Sequence, residues 1–390
     1  MKKVILPFLL LSFTFGKTVN AANPDLRAPY AILMDFDSGR VLYEKNADES
    51  VPPSSMSKLL TIYKIFSLVK EGKYSLDTEF TVGDEAWKKA KAMNANSGST
   101  MFLEYGEKVK IEDLIRGIIV NSGNDATIVI AENVSGSESK FVEELNELSK
   151  ELGLTNTHLE NASGWYDKKH LMSTRDLAIL SRRIIKDFPE YYHYFGEKEF
   201  LYKKDLTGNK DNRNKLLWIM PSADGLKTGH TTKGGYGLSS SAKKGERRLI
   251  SIVNGIKGTN PSYARFTDSK TLLEWGFKEF SNYVYYKAGD KVLDIPVWFG
   301  KNNTVAVGVN EKILITSQNG KTPNIEFRAT YESPIPAPIE KGTKVGTLTL
   351  YIDGTKFNDY DLITLEDMKK CNFIIRIFKN LKQIVLNIVG

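Results

Sequence analysis

The stretch running from Pro52 to Val69 constrains this chain more than any other. Pro52-Pro53-Ser54 opens a helix in which Leu59, Leu60, Ile62, Tyr63, Ile65, Phe66 and Val69 cover most of the circumference. A helix apolar nearly all round has no face to give to water, so it is a buried one. Its first turn carries Ser55-Met56-Ser57-Lys58, which sets a hydroxyl and an amine one turn apart on a shared face, against the core. Burial disfavours the charged form of a lysine and lowers its pKa. An amine that has shed its charge is the base a serine hydroxyl needs to become a nucleophile.

Around this helix the periodicity predicts an α+β layer architecture, an antiparallel sheet flanked by helices. Residues 28–43 read as strand, turn, strand. Helical patterns follow at 111–120, 125–132 and 137–152, the last capped by Ser137 with Lys140 at the third place. Ser173-Thr174 opens another helix. After Gly225 the period becomes two: residues 237–242, a turn at 243–246 and residues 248–254 form a hairpin, followed by a helix at 269–277. From about Tyr283 helices give way to short strands punctuated by Gly, Asn and Pro, the pattern of a separate small all-β domain. The expected domains are 1–21, 22–280, 281–362 and a tail at 363–390.

The two ends carry the charge. Met1-Lys2-Lys3, an apolar run to Phe15 and Val19-Asn20-Ala21 make a secretory signal peptide, with the mature chain beginning near Ala22. In the tail, Arg376, Lys379, Asn380, Gln383 and Asn387 share one helical face opposite Phe373, Ile374, Ile377, Phe378, Leu381, Ile384, Val385 and Ile388. Lysines in mid-segment oppose spanning, whereas a cationic face opposite a broad apolar one suits an amphipathic helix lying in the membrane surface. The formal charge is +7, from 54 cations and 47 anions. With Lys2, Lys3 and Lys17 removed, and the five tail cations from Lys369 onward set aside, the body is near neutral at −1. It offers no basic stripe to a phosphate backbone, so nucleic acid is not an expected partner. Scattered histidines and a single cysteine, Cys371, give no metal-ligand pattern, and no cofactor is expected.

Three short signatures occur in order: Ser55-x-x-Lys58, Ser122-Gly123-Asn124 and Lys227-Thr228-Gly229, spaced by 67 and 105 residues. Each alone is weak, since Ser67/Lys70 and Ser137/Lys140 repeat the first and Ser317-Gln318-Asn319 the second. Context separates them. Ser122-Gly123-Asn124 lies between two helices, as does a loop that projects a hydroxyl and an amide into a cleft. Lys227-Thr228-Gly229 begins the period-two region, where an edge strand could pair with an extended peptide and its lysine offset a carboxylate.

This triplet resembles the signature set of serine penicillin-binding proteins and β-lactamases, and its surroundings resemble the D-alanyl-D-alanine carboxypeptidases among the low-molecular-mass penicillin-binding proteins. The resemblance rests also on residues 39–48, on Ile115-Arg116-Gly117, on His230-Thr231 and on Leu272-Leu273-Glu274-Trp275-Gly276-Phe277. It implies a β-lactamase/transpeptidase-like domain, release of terminal D-alanine from peptidoglycan stem pentapeptides, acylation by β-lactams, and a site on the periplasmic face of the cell membrane. Residue by residue, it implies that Ser55 forms the acyl-enzyme, Lys58 takes its proton and Ser122 relays a proton to the leaving D-alanine. Asn124 would contact the substrate amide, Lys227 and Thr228 of the Lys227-Thr228-Gly229 strand would hold the terminal carboxylate, and Arg213 would lie near it. Backbone N–H groups of Ser55 and His230 would form the oxyanion hole. Ser57, at a place where threonine is common, Lys215 and Met220-Pro221 depart from the pattern. A class A β-lactamase also needs a glutamate in E-x-x-L-N, and before Leu145-Asn146 that place is Val142. A D,D-endopeptidase and a penicillin-binding sensor without turnover share the same residues.

Overall fold

The computed structural model describes residues 2–9, 22–95, 98–203, 210–321 and 323–372. It divides into two compact units, one of residues 22–278 and one of residues 1–21 with 279–390.

The larger unit is built on a five-stranded antiparallel sheet in the order Val41–Lys45, Tyr30–Asp35, Arg247–Ile256, Gly235–Lys244, Ala223–Thr231. Side chains alternate between faces along a strand, and here the alternation feeds two cores. Ile32, Met34, Ile250 and Ile252 join the core of the helical layer, which contains Leu59, Ile65 and Phe66. Ala31, Leu33, Leu249 and Val253 join a second core with Leu272 and Leu273 of the helix Pro261–Glu279. The sheet is thus filled from both sides. Nine of the thirteen residues of the helix Lys58–Lys70 are buried. Each fully buried Leu, Ile or Phe contributes about 1.5–3 kcal/mol, so this helix anchors whatever its first turn carries.

Several expectations are refined. Ser54–Ser57 form a 3-10 turn and the α-helix begins at Lys58, because Ser54 takes a positive φ of 53° directly after the two prolines. The helix expected over 111–120 is an α-turn, Ile111–Arg116, continued by a π-turn, Gly117–Asn121. Ser137 and Ser173 cap the helices Glu138–Glu151 and Thr174–Asp187 through the N–H groups of Lys140 and Asp176. The final helix of this unit starts at Pro261, where a proline lacking an N–H suits the first turn. The polar helix Asp84–Ala95 and the small pair Glu79–Thr81 and Lys108–Lys110 had no clear signature in the sequence.

The second unit holds a seven-stranded sheet and the antiparallel pair Phe280–Tyr286 and Ile313–Gln318 over its own core, which includes Val305, Phe327 and Leu348. Its last long strand, Thr355–Thr364, passes position 362, and Met368 and Cys371 are buried beyond it. Lys2–Leu9, read above as part of a signal peptide, forms an antiparallel edge strand against Ile325–Ser333. The tail helix expected over 372–389 lies outside the described residues, apart from Asn372. No helix among the described residues is long and apolar enough to cross a membrane.

Candidate active site

A cleft of about 580 Å³ opens in the larger unit, and all three signatures reach it. Ser55, Ser122, Asn124, Arg213, Thr228 and His230 are among the residues that line it. Ser55 sits on the 3-10 turn and is partly exposed to the cleft, while Lys58 is fully buried. The Lys58 Nζ lies 2.9 Å from Ser55 Oγ and donates to Asn124 Oδ1 at 2.6 Å and to the Ser163 carbonyl. Burial above all, then the nearby Arg213, pushes the Lys58 pKa down to about 7, against the opposing pull of Asp125 and Glu138. The amine is poised at the border between its two protonation states.

Ser122 closes the π-turn. Its N–H donates to the Gly117 carbonyl and its φ of 63° is left-handed, which aims the side chain into the cleft. The Asp125 carboxylate holds the opposing loop by accepting from Met101 N–H at 2.9 Å and Leu103 N–H at 3.2 Å. Lys227 Nζ donates to Ser122 Oγ at 2.9 Å and, more weakly, to the Thr228 carbonyl at 3.3 Å. Burial and then the charges of Lys58, Arg213 and Arg265 hold the Lys227 pKa well below its ordinary value.

Lys227, Thr228 and Gly229 lie on Ala223–Thr231, the edge strand of the five, so one side of their backbone has no neighbouring strand. Gly229 is required there, since a Cβ would meet the Pro53 carbonyl oxygen at 2.7 Å. His230 is exposed, stacks on Tyr236 at 3.8 Å between ring centroids, and has its pKa lowered by burial and by Arg265. Arg213, Lys233 and Arg265 line the cleft, and no Asp or Glu is among the described lining residues. A concave site with this balance favours an anion.

Sequence reasoning did not reach three contributors. His170 is buried, and its Nε2 lies 2.9 Å from Ser57 Oγ while its Nδ1 accepts from Glu160 N–H at 3.1 Å. Burial and the charge of Lys58 hold its pKa down at about 4, so it is neutral at ordinary pH. Arg265 is buried and donates to the Gly229 carbonyl at 3.2 Å. Glu138 binds Ala162 N–H at 3.0 Å, steadying the loop that presents the Ser163 carbonyl to Lys58. Asn146, weighed above as part of an E-x-x-L-N, instead ties the helix Glu138–Glu151 to Leu159 by two hydrogen bonds of 2.9 and 2.8 Å. Among the described residues no group of three His, Cys, Asp or Glu is placed to hold a metal ion.

The D-alanyl-D-alanine carboxypeptidase family matches residues 17–258, and the C-terminal domain of penicillin-binding protein 5 matches residues 280–370. The chain belongs to the D-alanyl-D-alanine carboxypeptidase family. It is 37% identical over 373 residues to D-alanyl-D-alanine carboxypeptidase DacC of Escherichia coli, with 95% of this chain and 91% of that protein covered. Penicillin-binding protein 5 from Haemophilus influenzae superposes with a TM-score of 0.78 at 34% identity, over 90% of this chain and 100% of that one. Penicillin-binding protein D2 from Listeria monocytogenes, solved in its ampicillin-bound form, matches with a TM-score of 0.56 at 29% identity, over 66% of this chain and all of that one. As a member of the family the chain is a serine-type D,D-carboxypeptidase of the penicillin-binding kind, with a transpeptidase-like α/β domain and a C-terminal β domain.

Proposed function

We propose that Ser55 is the residue acylated when this carboxypeptidase removes the terminal D-alanine from peptidoglycan stem pentapeptides, and when it reacts with β-lactams. The observation that carries the assignment is the sealed Lys58 amine, 2.9 Å from Ser55 Oγ and with its pKa lowered to about 7. Neutral Lys58 takes the hydroxyl proton as Ser55 Oγ attacks the carbonyl of the penultimate D-alanine. The N–H groups of Ser55 and His230 receive the oxyanion. Ser122, held by the hydrogen bond from Lys227, relays to the departing amine the proton that Lys58 took from Ser55, so Lys58 is neutral again and Lys227 keeps its charge. The bond to the leaving D-alanine breaks, and water then hydrolyses the ester. Asn124 contacts the substrate amide.

The cationic lining suits a substrate ending in a free carboxylate, which Lys227, Thr228 and Arg213 hold. Such an anion returns to Lys227 the charge that its buried, cation-rich setting withholds. The peptide runs alongside the free edge of Ala223–Thr231 as an added strand. Two measurements test the reading on purified protein. D-alanine is expected to be released from a model pentapeptide, and mass spectrometry of the penicillin adduct is expected to place the drug on Ser55. An adduct on any other serine overturns the assignment.

Export, action at the periplasmic face and a peripheral membrane tether belong to the same proposal. They rest on the leader and on the two-faced tail beyond Asn372. Deletion from Asn372 onward is expected to move the protein from the membrane pellet to the soluble fraction, and continued sedimentation with membranes would refute the tether.

A further inference from the structure

The two oxyanion donors belong to two peptide groups, and each group has its carbonyl on the opposite side from its N–H. The Ser55 N–H shares a peptide with the Ser54 carbonyl, and the His230 N–H shares one with the Gly229 carbonyl. Both carbonyls are occupied by side chains. Ser57 Oγ donates to the Ser54 carbonyl at 3.0 Å. Arg265 Nη1 donates to the Gly229 carbonyl at 3.2 Å.

The polarity of the first chain of bonds is fixed by its ends. Glu160 N–H can only donate, so His170 Nδ1 is bare and the ring proton sits on Nε2. Nε2–H therefore donates to Ser57 Oγ, whose own proton is committed to Ser54. Every link points toward the nucleophile. Aligned hydrogen bonds polarise one another, by roughly 10–30% per link. Withdrawal of electron density at a peptide oxygen makes the N–H of the same peptide a better donor. The second carbonyl meets a guanidinium, and charge-assisted bonds are the stronger kind.

We propose that His170 with Ser57, and Arg265, are positioning residues that orient and polarise the two oxyanion-hole peptides from behind, one device for each donor. This rests on the assignment of Ser55 as nucleophile, with the N–H groups of Ser55 and His230 as donors. It also gives the left-handed Ser54 a reason to persist: strained backbone survives where its surroundings over-determine it, and Ser57 Oγ pins the Ser54 carbonyl. Loss of a whole oxyanion donor costs on the order of 10²–10³ in rate. Loss of its polarisation alone is expected to cost about tenfold in the acylation rate constant, with substrate binding little changed.

The decisive readout is the infrared stretch of the ester carbonyl in the penicilloyl-enzyme, measured on the full chain. Hydrogen bonds to that oxygen lower its frequency. Ser57→Ala and His170→Asn are expected to move it to higher wavenumber and to slow acylation about tenfold. Ser57→Thr keeps the hydroxyl and is expected to restore both. A purely structural role would lower thermal stability without moving the stretch. Arg265→Gln reads the second peptide independently, so the test survives should Ser57→Ala fail to fold. Acylation at Ser55 with the stretch unmoved in the folded variants would overturn the inference while sparing the nucleophile. An adduct elsewhere would instead remove the reading beneath it.

Discussion

Alanine at position 55 is expected to abolish both activities at once: D-alanine release falls by on the order of 10⁶, the loss that follows removal of a serine hydrolase nucleophile, and no penicillin adduct forms. The fold should hardly notice. Ser55 is partly exposed, and its hydroxyl accepts one bond from a lysine that keeps Asn124 and the Ser163 carbonyl as partners. The thermal midpoint of Ser55→Ala should therefore lie within a few degrees of wild type, since a surface-facing change away from caps and core usually stays within about 0.5 kcal/mol. A variant that retains covalent labelling would place the nucleophile elsewhere.

Lys58→Met is expected to lower the acylation rate by roughly 10²–10⁴, the range that a positioned general base supplies. The methionine fills similar volume but leaves Asn124 Oδ1 and the Ser163 carbonyl without their donor, so the size of the loss alone does not isolate proton transfer. pH separates this from a packing defect. In wild type the amine must be neutral to accept a proton, so acylation should rise with pH through about 7. That limb should vanish in Lys58→Met. The linkage with stability has a definite sign. Lys58 has a folded pKa of about 7 against an ordinary 10.5, so between those values the unfolded chain binds more protons and stability increases with pH. Wild type should gain stability over that window, and Lys58→Met should gain less. A wild-type rate with no inflection near neutrality would argue against Lys58 as the base.

What could be read in advance followed from local pattern. The Leu59 to Val69 stripe fixed burial of the helix, and burial is what lowers the Lys58 pKa; that chain of reasoning needs only neighbouring residues. The strand carrying Lys227-Thr228-Gly229 was legible in the same way, from the switch to period two after Gly225. The contributors that escaped are joined through space. His170 lies 113 positions from Ser57, and Arg265 lies 36 from Gly229. No short window of sequence contains either pair, and a lone histidine between Lys169 and Leu171 has no distinguishing spacing. The turn geometry at Ser54 and Ser122 escaped for a different reason. Both are non-glycine residues at positive φ, which local preference opposes and only tertiary constraint imposes. The expected start of the last helix at Ser269 fell short because Pro261, a permissible first residue, reads as a breaker when taken alone.

The contact beneath Gly229 has a bearing on how drug insensitivity could arise. With the Pro53 carbonyl oxygen 2.7 Å from where any Cβ would sit, and Ser54 Cβ 3.3 Å away, even alanine there would press the edge strand off the turn that carries Ser55. A larger residue at Gly229 that kept β-lactams out would therefore also displace the turn on which the native reaction depends.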